Sequence, residues 1–96
     1  MLILSEQTKR AFNSEYFTYF EVQNLTPNYL INNPDKYDAP YAVVGYNEVN
    51  DCSYILGSYS TQDIADGVFL YFVQELASDY NIASVPTERH YLEANR

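Results

Sequence analysis

The sequence predicts an α+β domain: a small antiparallel sheet of about three to five strands with one long C-terminal helix packed on it. Three observations carry this expectation. Residues 15–22 are aromatic and β-branched with few helix formers. Residues 41–46 and 54–59 repeat that composition on either side of a polar turn. From Ile64 to Leu76, apolar residues recur at helical spacing. A chain of 96 residues, 47% hydrophobic and 17% aromatic, can build one modest core but not two. Residues 1–96 are therefore expected to form a single domain, with residues 85–96 as a tail.

Residues 1–4 read as a short strand and residues 6–10 as the polar turn after it. In the run 15–22, Tyr16, Thr18, Phe20 and Val22 share one face, and Phe17 and Tyr19 share the other with Glu15 and Glu21. Rings on both faces predict a strand covered on both sides. Pro27, Pro34 and Pro40 punctuate the next stretch of chain. Residues 29–31 read as a short edge strand. Residues 32–40 read as an exposed loop, because proline cannot donate to a ladder and Asn and Asp bond their own backbone. Residues 41–46 and 54–59 form the clearest hairpin, turned by Asn47, Glu48, Val49, Asn50 and Asp51. Gly45 and Gly57 inside these strands mark bulges or close packing.

Ser60 is the expected N-cap of the helix, with Asp63 three residues on as an imperfect capping box. Asp63 and Asp66 also suit the positive end of the helix dipole. Ile64, Ala65, Val68, Phe69, Phe72, Val73 and Leu76 make the core-facing stripe. The helix is expected to run to about residue 79. Beyond Pro86, residues 87–96 read as a tail or one extra helical turn.

Charge narrows the function. Between Lys36 and Arg89 there is no lysine or arginine, yet there are eight carboxylates, among 13 acidic and 5 basic side chains overall. Such a field repels nucleic acid and anionic lipid and attracts basic protein surfaces. No apolar run approaches the roughly 20 residues that span a bilayer. The opening Met1-Leu2-Ile3-Leu4 lacks a basic leader and is too short for a signal peptide's apolar segment. Cys52 is the one cysteine and cannot make an internal disulfide, so a reducing cytoplasm is the expected compartment.

Catalytic chemistry has little to stand on. His90, the one histidine, reads as a solvated tail residue with no oriented partner. Cys52 sits beside Asp51 and Glu48, which raise rather than lower a thiol pKa. The carboxylate pairs Glu48/Asp51, Asp63/Asp66, Asp35/Asp38 and Glu75/Asp79 read singly as solvated residues, and no calcium loop, zinc pattern, phosphate-binding loop or serine elbow is present. No cofactor, metal site or enzymatic activity is expected. Tyr37 and Tyr41 fall near the loop, where tyrosine adds contact area at low entropic cost. Leu70 and Tyr71 lie off the core stripe and suit a homodimer contact.

Two stretches carry a resemblance. The opening Met-Leu-Ile-Leu-Ser-Glu-Gln-Thr-Lys, and Tyr-Ile-Leu-Gly-Ser-Tyr-Ser-Thr-Gln-Asp-Ile-Ala at residues 54–65, resemble small uncharacterised proteins of phages and prophages of Gram-positive bacteria. Those open with a short apolar strand and polar turn and close with a strand leading into a helix. Short acidic phage proteins include anti-CRISPR proteins and other inhibitors of bacterial defence, some of which imitate the charge of DNA. The resemblance thus implies an acidic inhibitor of a host defence protein, such as a CRISPR effector. No catalytic residue carries over. The expected binding residues are Glu48, Asp51, Asp63, Asp66, Tyr37 and Tyr41, with carboxylates standing in for phosphates on a basic, nucleic-acid-handling surface. The alternatives are a sponge that sequesters a nucleotide signal, and a structural phage subunit.

Overall fold

In the structure, a computed structural model describing residues 1–25, 39–78 and 81–95, the polar turn after β1 (Leu2–Ser5) folds that strand back onto β2 (Arg10–Asn13). A 3-10 turn at Ser14–Tyr16 leads into β3 (Tyr19–Asn24). The hairpin comes next as β4 (Tyr41–Asn47) and β5 (Cys52–Tyr59), then helix α1 (Gln62–Leu76). The chain continues through β6 (Ile82–Val85) into a second helix, α2 (Glu88–Ala94). The expected α+β class holds, but the strands form two three-stranded sheets, ordered β2-β1-β6 and β3-β4-β5. No helix among the described residues is long and apolar enough to cross a membrane.

Three corrections to the sequence reading have local causes. Residues 15–18 are not strand, because the Asn13 side chain accepts a hydrogen bond from the Glu15 backbone N–H at 3.0 Å and starts a turn instead. The N-cap of α1 is Thr61, not Ser60: its backbone is extended and its Oγ1 accepts from the Ile64 N–H at 3.2 Å. Ser60 is occupied elsewhere, donating its N–H and hydroxyl to Glu88 Oε1 at 2.7 and 2.8 Å. The stripe of α1 is narrower than expected. Ala65, Val68 and Phe72 are fully buried, whereas Val73 is exposed.

The largest correction concerns the C-terminal segment. The long helix is central in the chain and ends at Leu76, and what reads as a tail supplies a strand and a helix. β6 pairs parallel with β1, aligning Leu2 with Ile82 and Ser5 with Val85. Four residues in a parallel pair with the opposite end of the chain leave no local hairpin signal. Ala83 and Val85 are fully buried, so this strand completes the core. The edge strand expected at 29–31, the loop after it, and Tyr37, Asp38 and Asp79 lie outside the described residues.

The core lies between α1 and the two sheets, around Ile3, Val43, Leu56, Tyr59, Val68, Phe72 and Val85, all fully buried. Phe72 meets Phe20 edge to face, with ring centroids 5.0 Å apart. The sheets are joined at β5. Its register shift opposite Val43 and Val44 leaves the Leu56 carbonyl to accept from Ser5 Oγ at 2.5 Å. Two residues on, Gln7 Oε1 accepts from the Ser58 N–H at 2.7 Å.

Two glycines mark close approaches. A Cβ on Gly57 would lie 2.2 Å from the Tyr59 hydroxyl, which is buried and donates to the Pro86 carbonyl at 2.6 Å. Burial, with lesser contributions from Glu6 and Glu88, pushes the pKa of that phenol well above its ordinary value. A Cβ on Gly67 would lie 2.1 Å from the Tyr91 hydroxyl, so glycine at this point of α1 is the seat of α2.

Candidate functional site

The turn between β4 and β5 is held from within and from behind. Asn47 is nearly fully buried. Its Oδ1 accepts from the Asn50 N–H at 2.8 Å, and its Nδ2 donates to the Tyr16 carbonyl at 2.5 Å. The Glu48 N–H donates to Thr18 Oγ1 at 3.0 Å, tying the turn to the entrance of β3. Asp51 has φ 51°, in the left-handed region that Asp and Asn tolerate better than other side chains. Glu48 and Asp51 are both solvent-exposed on this fixed turn.

Tyrosines adjoin the two carboxylates. Tyr46 lies opposite Tyr19 in the β3–β4 ladder, their ring centroids 5.0 Å apart and planes 31° apart. The Tyr46 hydroxyl donates to Asp51 Oδ1. That hydrogen bond is the main reason its pKa is pushed up to about 12, with smaller additions from the charges of Asp51 and Glu48. Tyr19 is 45% exposed and Val49, at the tip, 92%. The result is a rigid end with two carboxylates, an exposed aliphatic tip and aromatic surface beside them. It can accept hydrogen bonds from cationic donors and pack against their stems.

Asp63 and Asp66 sit elsewhere. They occupy the start of α1, just past the far end of β5, seven residue steps from Cys52 to Tyr59. At about 3.3 Å per step the two acidic pairs are roughly 20 Å or more apart along the strand. Both are exposed, and Asp66 Oδ1 accepts from Gln62 Nε2 at 2.8 Å. Tyr41 belongs with this end, since it lies opposite Tyr59, and it is half-buried against the core.

Segments from both ends of the chain are fastened near this end. The β1–β2 turn containing Lys9 is fastened to Ser58 through Gln7, and α2, with Arg89, is fastened to Ser60 through Glu88. Arg89 itself pairs with Glu93 at 3.2 Å.

Other carboxylates hold the fold together. Glu75 Oε1 accepts from the Ser84 N–H at 2.8 Å on the outer edge of β6, and Glu88 holds Ser60. His90 is not a free tail residue: its Nδ1 lies 2.6 Å from Glu6 Oε1. Cys52 is half-buried and its thiol donates to the Asn50 carbonyl at 3.2 Å. Among the described residues, no cluster of three His, Cys, Asp or Glu side chains is placed to hold a metal ion. Leu70 and Tyr71 are 61% and 46% exposed.

Sequence reasoning missed Tyr19, Tyr46 and Val49 as surface residues of this end. Val49 did carry a signal, as the one apolar residue in a polar turn. The facing of Tyr19 and Tyr46 depends on a long-range register that no local pattern announces. In comparisons with protein-family models, curated proteins and solved structures, nothing matches this chain.

Proposed function

We propose that this chain is a partner-binding protein whose acidic hairpin end occupies a basic, nucleic-acid-handling surface of another protein, as phage-encoded inhibitors of bacterial defence do. The observation that carries the reading is the pairing of Glu48 and Asp51 on a turn braced by Asn47, Thr18 and Tyr46. Around it, residues 37–88 contribute no lysine or arginine. A fixed acceptor pair loses little entropy on meeting guanidinium or ammonium groups, and the surrounding negative field speeds the encounter. Asp63 and Asp66 extend the negative surface at the other end of β5, so a basic groove roughly 20 Å or more long would engage both pairs. A CRISPR effector is the partner class that the resemblance suggests. A nucleotide-capturing role has less support. The cleft beside α2 is about 120 Å³ with no lysine or arginine among its described lining residues, whereas small-molecule sites run to roughly 300–1,000 Å³.

The test is capture from a host lysate at low and high salt, with parent and Glu48→Gln/Asp51→Asn chains side by side. Both changes keep the side-chain shape, and asparagine also tolerates the backbone at residue 51. The double variant is expected to bind the captured protein at least about tenfold more weakly, or about 1.4 kcal/mol, chiefly through slower association. Equal capture by a folded double variant at low salt would contradict the reading.

The exposed Leu70 suits contact with a second copy, whereas its neighbour Tyr71 lines the cleft beside α2. Sedimentation equilibrium is expected to show association of the parent at high micromolar concentration that Leu70→Glu weakens, since a carboxylate would be buried without a partner. Parent protein that stays monomeric there removes this part of the proposal.

A further inference from the structure

A cleft of about 120 Å³ opens where α2 meets β6 and one flank of α1, and Glu6, Tyr71, Ser84, Pro86, His90 and Tyr91 are among the residues lining it. It is remote from the β4–β5 turn, on the side of the molecule fastened by Glu88 and His90. Among the described lining residues, Glu6 is the one carboxylate and His90 the one basic side chain. Glu6 reaches into it with Oε1 held by His90 Nδ1 at 2.6 Å. One carboxylate thus faces a space with tyrosine walls, and the described lining contains no lysine or arginine.

The size selects the occupant. A cavity of roughly 150 Å³ takes one benzene ring, so a space of 120 Å³ takes the end of one side chain. A guanidinium suits it better than an ammonium. It is planar, weakly hydrated, stacks on aromatic surface and bonds a carboxylate through two N–H groups. We propose that this cleft seats one arginine side chain of the basic protein partner, between the Glu6 carboxylate and the Tyr71 side chain. The proposal rests on the reading that the partner is basic, and adds a second point of contact that the hairpin end does not supply.

The intact chain can be titrated with N-acetyl-arginine amide and followed by two-dimensional NMR, with the neutral isostere N-acetyl-citrulline amide as control. Saturable shifts at Glu6, Tyr71, Ser84 and His90 in the millimolar range are expected from the arginine probe and none from citrulline. Glu6→Gln should weaken the arginine probe at least about fivefold by removing the charge-assisted bonds. Equal shifts from citrulline, unsaturable shifts spread over the acidic surface, or unchanged binding by a folded Glu6→Gln chain would overturn the proposal. The parent comparison of the two probes needs no variant, so misfolding of Glu6→Gln leaves it decisive. Neither probe involves the lysate partner. Loss of this site with charge-dependent capture intact would leave the hairpin reading standing.

Discussion

Phe72→Ala is expected to destabilise the fold by about 3–5 kcal/mol, the range for removing a buried aromatic ring. Phe72 is fully buried and packs edge to face on Phe20, so it joins α1 to the β3-β4-β5 sheet. Its ring lies in the one core that both sheets share, where collapse around the cavity would have to move α1 against two sheets at once. Domains of this size have roughly 5–15 kcal/mol in all, so the variant should be partly unfolded at moderate temperature. Chemical denaturation followed by circular dichroism measures this. A cooperative unfolding midpoint equal to that of the parent would remove Phe72 from the core.

Ending the chain after Ser78 is expected to have a still larger effect and to abolish cooperative folding. The truncation takes away the parallel partner of β1 and exposes the inner side of Ile3 and Ser5. It removes the Pro86 carbonyl from the buried Tyr59 hydroxyl, whose unmet hydrogen bond alone costs about 1–3 kcal/mol. It also strips Tyr91 from Gly67, Glu88 from Ser60 and Ser84 from Glu75. Thermal unfolding reads the outcome. A truncated chain that melts cooperatively near the parent temperature would mean that residues 81–95 are an appendage after all.

The same segment shows where the sequence stopped being legible. The β4–β5 hairpin and the face of α1 carrying Ala65, Val68 and Phe72 could be read because their signals are local: alternation, turn chemistry and helical spacing. β6 was hidden because its four residues acquire meaning only against β1, at the other end of the chain. Thr61 rather than Ser60 caps α1 because Glu88, 28 positions on, claims Ser60. The candidate site divides along the same line. The exposure of Glu48, Asp51, Asp63 and Asp66 was legible from their turn and helix-start positions. Their separation into two groups was not, since only the length and direction of β5 place them at opposite ends.

Electrostatic engagement of a basic partner has a kinetic signature that shape-driven binding lacks. The direct measurement is the association rate constant of the chain with its captured partner, by surface plasmon resonance across increasing ionic strength, for parent and Glu48→Gln/Asp51→Asn. Attraction between exposed charges is screened within a Debye length of about 8–10 Å at physiological salt. The parent's association rate should therefore fall steeply as salt rises while dissociation changes little, and the double variant should show a lower rate with a shallower slope. An association rate that is independent of salt and identical in the two chains would contradict binding through the acidic hairpin end.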